Sequence, residues 1–146
     1  VYVLTTLGSF AVVLLAARDA GEAEEIDDFK GLGPRDPLLA LLMMALMFST
    51  AGVPPFAGFW AKLWIIQSLL HTQHVWLATV AVLASVVGAF YYLRVIWFMY
   101  FDAGREQVAI PRLAMTRGAL ALNTLAVAGL GLMPNVLLAL CTSLIG

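Results

Sequence analysis

The sequence predicts an all-α integral membrane protein with four transmembrane helices, the second of them interrupted. Three observations carry that reading: an apolar composition, charges gathered into two clusters, and a Gly-Val-Pro-Pro segment inside the longest apolar block. Of the 146 residues, 62% are apolar and 12% are charged, against about 45–50% and about 25% in soluble domains. A soluble domain this small leaves roughly a third of its unfolded surface exposed, so it has too little interior to hide that excess. The composition argues against a soluble enzyme, a nucleic-acid binder and a disordered region. A net charge of −1 offers no attraction for a polyanion. The single cysteine, Cys141, excludes an internal disulfide and any multi-cysteine metal centre.

Ten of the charged side chains lie between Arg18 and Asp36 and five between Asp102 and Arg117; only Lys62 and Arg94 fall inside apolar sequence. The blocks left over are residues 1–17, 37–70, 75–101 and 118–145. A helix crosses a hydrocarbon core of about 30 Å with about 20 residues, so the third and fourth blocks each make one tilted crossing. The first is slightly short and begins without a Met, a basic flank or a cleavage site, which reads as a severed helix and not as a signal peptide. The chain is therefore expected to be a piece of a longer membrane domain.

With one crossing per block, the loops 18–36 and 102–117 share a side. They hold Arg18, Lys30, Arg35, Arg105, Arg112 and Arg117, whereas the 71–74 loop and the C-terminus hold no Lys or Arg. Positive residues mark the cytoplasmic face. Both charged loops are expected in the cytoplasm and the C-terminus outside it, in the periplasm.

The second block would make a straight helix of about 50 Å, too long for one crossing. In its middle Pro54 and Pro55 remove two backbone donors, and Pro54 pushes Val53 away from helical angles. Gly52 and Gly58 loosen the chain on either side. The reading is one crossing built of two half-helices with an unwound joint near residues 51–56; a simple kink and a hairpin are the alternatives. Non-helical backbone at membrane depth must be buried in protein or line a watery cavity, and interrupted helices often mark ion sites in transporters.

Lys62 follows that joint, flanked by Phe59, Trp60, Leu63 and Trp64, with no acid anywhere from Pro37 to Phe101. A lysine at membrane depth costs at least about 2.5 kcal/mol unless water, a carboxylate or proton loss relieves it. Unlike arginine, a buried lysine can give up its proton, which makes Lys62 a candidate proton carrier. The plainer alternative is a snorkelling anchor. Ser49, Thr50 and Gln67 are candidates to hold water or freed backbone near the joint. Arg94 reads first as an interfacial anchor and second as part of a polar network. His71 and His74 belong to an interfacial loop or a proton relay, since two histidines without a third ligand make a poor metal site. Asn123 and Thr124 are expected to pack against a neighbouring helix, and residues 129–134 to loosen or kink the last one. Neither a phosphate loop nor a zinc spacing is present.

The stretch from Met47 to Lys62, MFSTAGVPPFAGFWAK, resembles the late interrupted helix of the antiporter-like subunits of respiratory complex I. Glu25-Ile26-Asp27-Asp28-Phe29-Lys30-Gly31-Leu32 before it and Gly88-Ala89-Phe90-Tyr91-Tyr92-Leu93-Arg94-Val95 after it resemble the subunit N family of bacterial NADH:quinone oxidoreductases. The resemblance runs over nearly the whole chain and implies the last four crossings of a fourteen-helix subunit. It implies proton translocation driven by electron transfer from NADH to quinone elsewhere in the complex. Lys62 then matches the family's lysine on the interrupted helix. The family's glutamate and two other lysines, on earlier helices, have no counterpart here. No cofactor or metal is expected on this chain; NADH, flavin, iron–sulfur clusters and quinone belong to other subunits. The expected partners are neighbouring membrane subunits of the complex, including other antiporter-like ones, and the lipid bilayer of the bacterial inner membrane, with no nucleic acid. Two alternatives remain: a subunit of a multisubunit cation/proton antiporter, and a membrane scaffold without a proton path.

Overall fold

The computed structural model describes residues 1–20, 29–102, 114–135, 139, 142 and 143, with side chains left undescribed at 16–20 and 114. The acidic run 22–28, most of the 102–117 loop and Cys141 lie outside the described residues. All described elements are helices: α1 (Tyr2–Ala20), α2 (Leu32–Arg35), α3 (Pro37–Ala51), α4 (Ala57–His71), α5 (Val75–Phe101) and α6 (Ala114–Leu132).

The ends of α3 follow from local chemistry. Asp36 caps its start, the carboxylate accepting from the Leu39 N–H at 3.2 Å, and Pro37 takes the first helical position, where its missing donor is harmless. The helix stops at Gly52, whose φ of 86° is left-handed. There the Gly52 N–H donates to Ser49 and the Val53 N–H donates to Phe48, at 3.1 and 2.9 Å. That pairing is a Schellman ending. Pro54 and Pro55 then prevent continuation, and helical structure resumes at Ala57. Each 15-residue helix is about 22 Å long, short of a bilayer's apolar thickness.

α3 is the central element, packed against α1, α2, α4, α5 and α6. Its Leu39, Leu42, Met43, Leu46 and Met47 meet Val12 and Leu15 of α1, Ile96 and Met99 of α5, and Leu120 and Val127 of α6 in one buried cluster. α1 and α6 approach closely where Asn123 donates to the Leu4 carbonyl at 3.0 Å, beside Gly8. Below this core the Asp36 carboxylate, buried to 7% exposure, forms a two-pronged ion pair with Arg117 of α6. α6 thus begins ahead of its apolar block, because the charge in its first turn has a buried partner.

Burial elsewhere runs opposite to that of a soluble bundle. α5 exposes Val80, Leu83, Val86, Val87, Phe90 and Trp97, and α1 exposes Val3, Leu7, Phe10 and Leu14. Faces of that size need lipid or protein cover. Val75–Phe101 and Met115–Leu132 are each long and apolar enough to cross a membrane.

Candidate functional site

The break between α3 and α4 is a built structure. The Gly58 N–H donates to Ser49 Oγ at 3.3 Å, which lays the first turn of α4 beside the last turn of α3. Any Cβ at position 58 would collide with the Ser49 carbonyl, so glycine is needed there for the approach itself. At Gly52 the left-handed φ favours glycine, and the space a Cβ would take is occupied by the Lys62 side chain, 3.0 Å away at Cδ.

Lys62, half-buried, turns back along α4 towards the break. Its Nζ donates to the carbonyls of Thr50 and Ala51, both at 2.9 Å. These are the two final carbonyls of α3, which the Schellman bonds leave without a helical donor. The aligned peptides of α3 also place partial negative charge there, a favourable setting for a cation. Lys62 is thus the C-terminal cap of the preceding half-helix. Among the described residues no carboxylate pairs with it.

An open cleft of about 400 Å³ runs along one side of Lys62, lined by Tyr2 and Thr5 of α1, Ser49 and Thr50 of α3, Gly58 of α4 and Tyr92 of α5. A second, of about 230 Å³, lies against Gly52, Phe59 and the α5 residues Val82 and Val86. The residues singled out from sequence therefore divide. Ser49, Thr50, Gly52, Gly58 and Lys62 come together at the break. Gln67, His71 and His74 stand exposed along and beyond the far end of α4 and line neither cleft. Arg94 lies over the Phe98 ring, 5.4 Å from its centroid, with Lys30 near the same ring at 5.1 Å. Pro54 and Pro55, joined by a cis peptide, stand in the break without lining either cleft.

Two groups escaped the sequence reading. Trp60 Nε1 donates to the Gly131 carbonyl at 2.9 Å, and a Cβ on Gly131 would strike the backbone from Pro55 to Ala57. Residues 129–134, expected to loosen or kink the last helix, contain the point where α6 stops at Leu132, and Gly131 seats that end of α6 against the break. No local pattern marks Trp60, because its partner is 71 residues away. Thr5 likewise reaches the cleft only through the packing of α1.

The family described as NADH:quinone oxidoreductase/Mrp antiporter, transmembrane, matches residues 1–88. The chain is 49% identical over 145 residues to NADH-quinone oxidoreductase subunit N of Paraburkholderia phymatum, covering 99% of this chain and 30% of that protein. It is 47% identical over 146 residues to subunit N of Thiobacillus denitrificans, covering 100% of this chain and 30% of that one. The chain thus spans about 30% of the length of these curated relatives. Its fold is similar to a chain of respiratory complex I from Thermus thermophilus with bound aureothin, at a TM-score of 0.72 and 25% identity, over 93% of this chain and 34% of that chain. The match over residues 1–88 takes in α1, α3, the break and α4 with Lys62: the chain is an integral membrane protein and belongs to the NADH:quinone oxidoreductase/Mrp antiporter transmembrane family.

Proposed function

We propose that this chain acts within a proton-translocating membrane subunit of an NADH:quinone oxidoreductase, with Lys62 as its proton carrier. The observation that carries the reading is the Lys62 ammonium bonded to the last two carbonyls of the apolar helix α3, on the wall of an open cleft. Two carbonyls and a helix C-terminus stabilise the cation without a permanent counter-charge. Proton loss leaves a neutral amine whose two remaining N–H groups still reach the carbonyls as a weaker cap. Reprotonation restores the cap. The redox reaction that drives the cycle, with NADH, flavin, iron–sulfur clusters and quinone, takes place on other subunits, and neighbouring antiporter-like subunits flank this one in the inner membrane.

In this reading α3 and α4 form one interrupted crossing, flanked by crossings at α1, α5 and α6. The charged loops face the cytoplasm. In a background lacking Cys141, single cysteines at Glu22 and Gln107 are expected to react with an impermeant maleimide only from the cytoplasm, and one at Gln73 only from the periplasm. Reaction of Gln73 and Gln107 from the same side would dismantle the four-crossing scheme.

Lys62→Met keeps the length and the apolar stem but removes the titratable group. The complex is expected to assemble, while proton pumping in membrane vesicles falls by about tenfold or more, a modest share of what a proton-transfer group contributes. Lys62→Arg retains the charge and is also expected to lose pumping, since guanidinium holds its proton at any accessible pH. Pumping by Lys62→Met at the parental rate would make the lysine a structural cap only. The second reading, a subunit of a multisubunit cation/proton antiporter, draws on the Mrp part of the family description. Gene neighbours decide between them: iron–sulfur and NADH-binding subunits for one, a cluster of small antiporter genes for the other.

A further inference from the structure

The two clefts beside the break are lined by different residues, with two exceptions. Lys62 and Ser85 of α5 belong to both. Their shared wall is the partition between a cleft reaching α1, mainly apolar but edged by several hydroxyls, and a second cleft that is otherwise apolar. Among the described residues lining that second cleft they are the only polar side chains, beside Phe59, Leu63, Ile66, Val82 and Val86.

The hydrogen bonding sets Ser85 apart from the other serine and threonine hydroxyls at the clefts. In the first cleft the Thr5 hydroxyl is bound to the carbonyls of Val1 and Tyr2, and the Thr50 hydroxyl to those of Leu46 and Met47. Ser49 Oγ already receives the Gly58 N–H. Among the described residues the Ser85 hydroxyl bonds to no protein group, although an apolar helix offers a serine its own carbonyls one turn back. Across the partition, an ammonium has three N–H donors. Thr50 and Ala51 take two of those on Lys62.

We infer that Ser85 is a proton-relay residue, the partner through which the third Lys62 proton leaves the α1-side cleft for the second one. This rests on the reading of Lys62 as a proton carrier. Lys62 releases one proton and becomes an amine, and a water held between it and Ser85 Oγ accepts that proton. The hydroxyl takes a proton from this water and gives its own to a water in the second cleft, so Ser85 ends as it began and one proton has crossed. A hydroxyl suits the task because it donates and accepts at once. An aliphatic side chain there would leave the partition with no polar group but the lysine.

Threonine and valine have nearly the same shape and differ in the hydroxyl, so they separate chemistry from packing. In the whole complex, in native membrane vesicles, Ser85→Thr is expected to pump protons at close to the parental rate, and Ser85→Val at about a third of it or less, with equal assembly. Slowing by deuterium oxide should match the parent in the Thr variant and exceed it in the Val variant. Should Val prevent assembly, Ser85→Ala replaces it under the same criterion. Equal pumping by the Val and Thr variants, whether both high or both low, overturns the relay. If the Val variant pumps normally and Lys62→Met does not, only the relay falls; if both pump normally, the carrier reading falls with it.

Discussion

Gly58→Val is expected to leave almost no assembled complex, whereas Gly118→Val or Gly129→Ala should assemble like the parent. The contrast follows from what a new Cβ meets. At Gly118 and Gly129 it meets no atom of the described residues within 4 Å, while at Gly58 it meets the Ser49 carbonyl carbon and oxygen. A flexible side chain would swing aside, but this carbonyl belongs to the last turn of α3. That turn is held by the Gly52 and Val53 N–H groups and sits above a core that includes Leu46 and Met47. Overpacking typically costs about 1–3 kcal/mol where side chains can adjust, and a backbone obstacle places this substitution beyond that range. Even Gly58→Ala should lower the yield of complex seen on native gels. Normal assembly of Gly58→Val would show that the two half-helices do not lie side by side at Ser49.

Asp36→Ala is expected to produce the second large loss, this time of stability more than of chemistry. One carboxylate performs two tasks: it caps α3 through Leu39 N–H and it holds Arg117 of α6. Losing an N-cap costs about 1 kcal/mol. Breaking a buried ion pair from one side costs about 3–5 kcal/mol, because the remaining charge is stranded. Asp36→Asn separates the tasks, since asparagine caps as well as aspartate but leaves Arg117 without its counter-charge. The order of thermal stability in purified complex should be parent, then Asp36→Asn, then Asp36→Ala. Asp36→Ala combined with Arg117→Met should lose less than the two singles added together, the signature of a direct pair. Strict additivity would mean that Asp36 matters to α3 alone.

What could be read in the sequence was whatever depends on neighbours along the chain. Pro54, Pro55, Gly52 and Gly58 act locally, through absent donors and permitted angles, so the stretch where α3 ends and α4 begins stood out. Lys62 stood out for the same reason, as a cation without nearby acids. Its actual partners are also close in sequence, the carbonyls of Thr50 and Ala51, yet backbone acceptors leave no trace in residue identity. Contacts between distant helices were illegible. Asp36 and Arg117 are 81 residues apart and were read only as loop charges, Arg117 as one of those that mark sidedness. Gly131 looked like a weak point in an apolar helix, because a glycine chosen for close approach and one chosen for looseness are the same letter. Ser85 gave no signal at all, since an isolated serine in an apolar helix is ordinary.

The seating of Gly131 against residues 55–57, locked by the Trp60 indole, bears on how force travels through the subunit. A proline-containing gap in a helix is commonly pictured as a hinge, with the two halves free to bend about it. Here the gap carries a bracket: sliding α4 past α6 breaks a hydrogen bond worth about 1 kcal/mol and drives backbone into backbone. The low-energy displacement is therefore a shared one, in which α4, the break and the end of α6 shift as one lever. Displacement of the end of α6 would thus be passed to the turn that Lys62 caps.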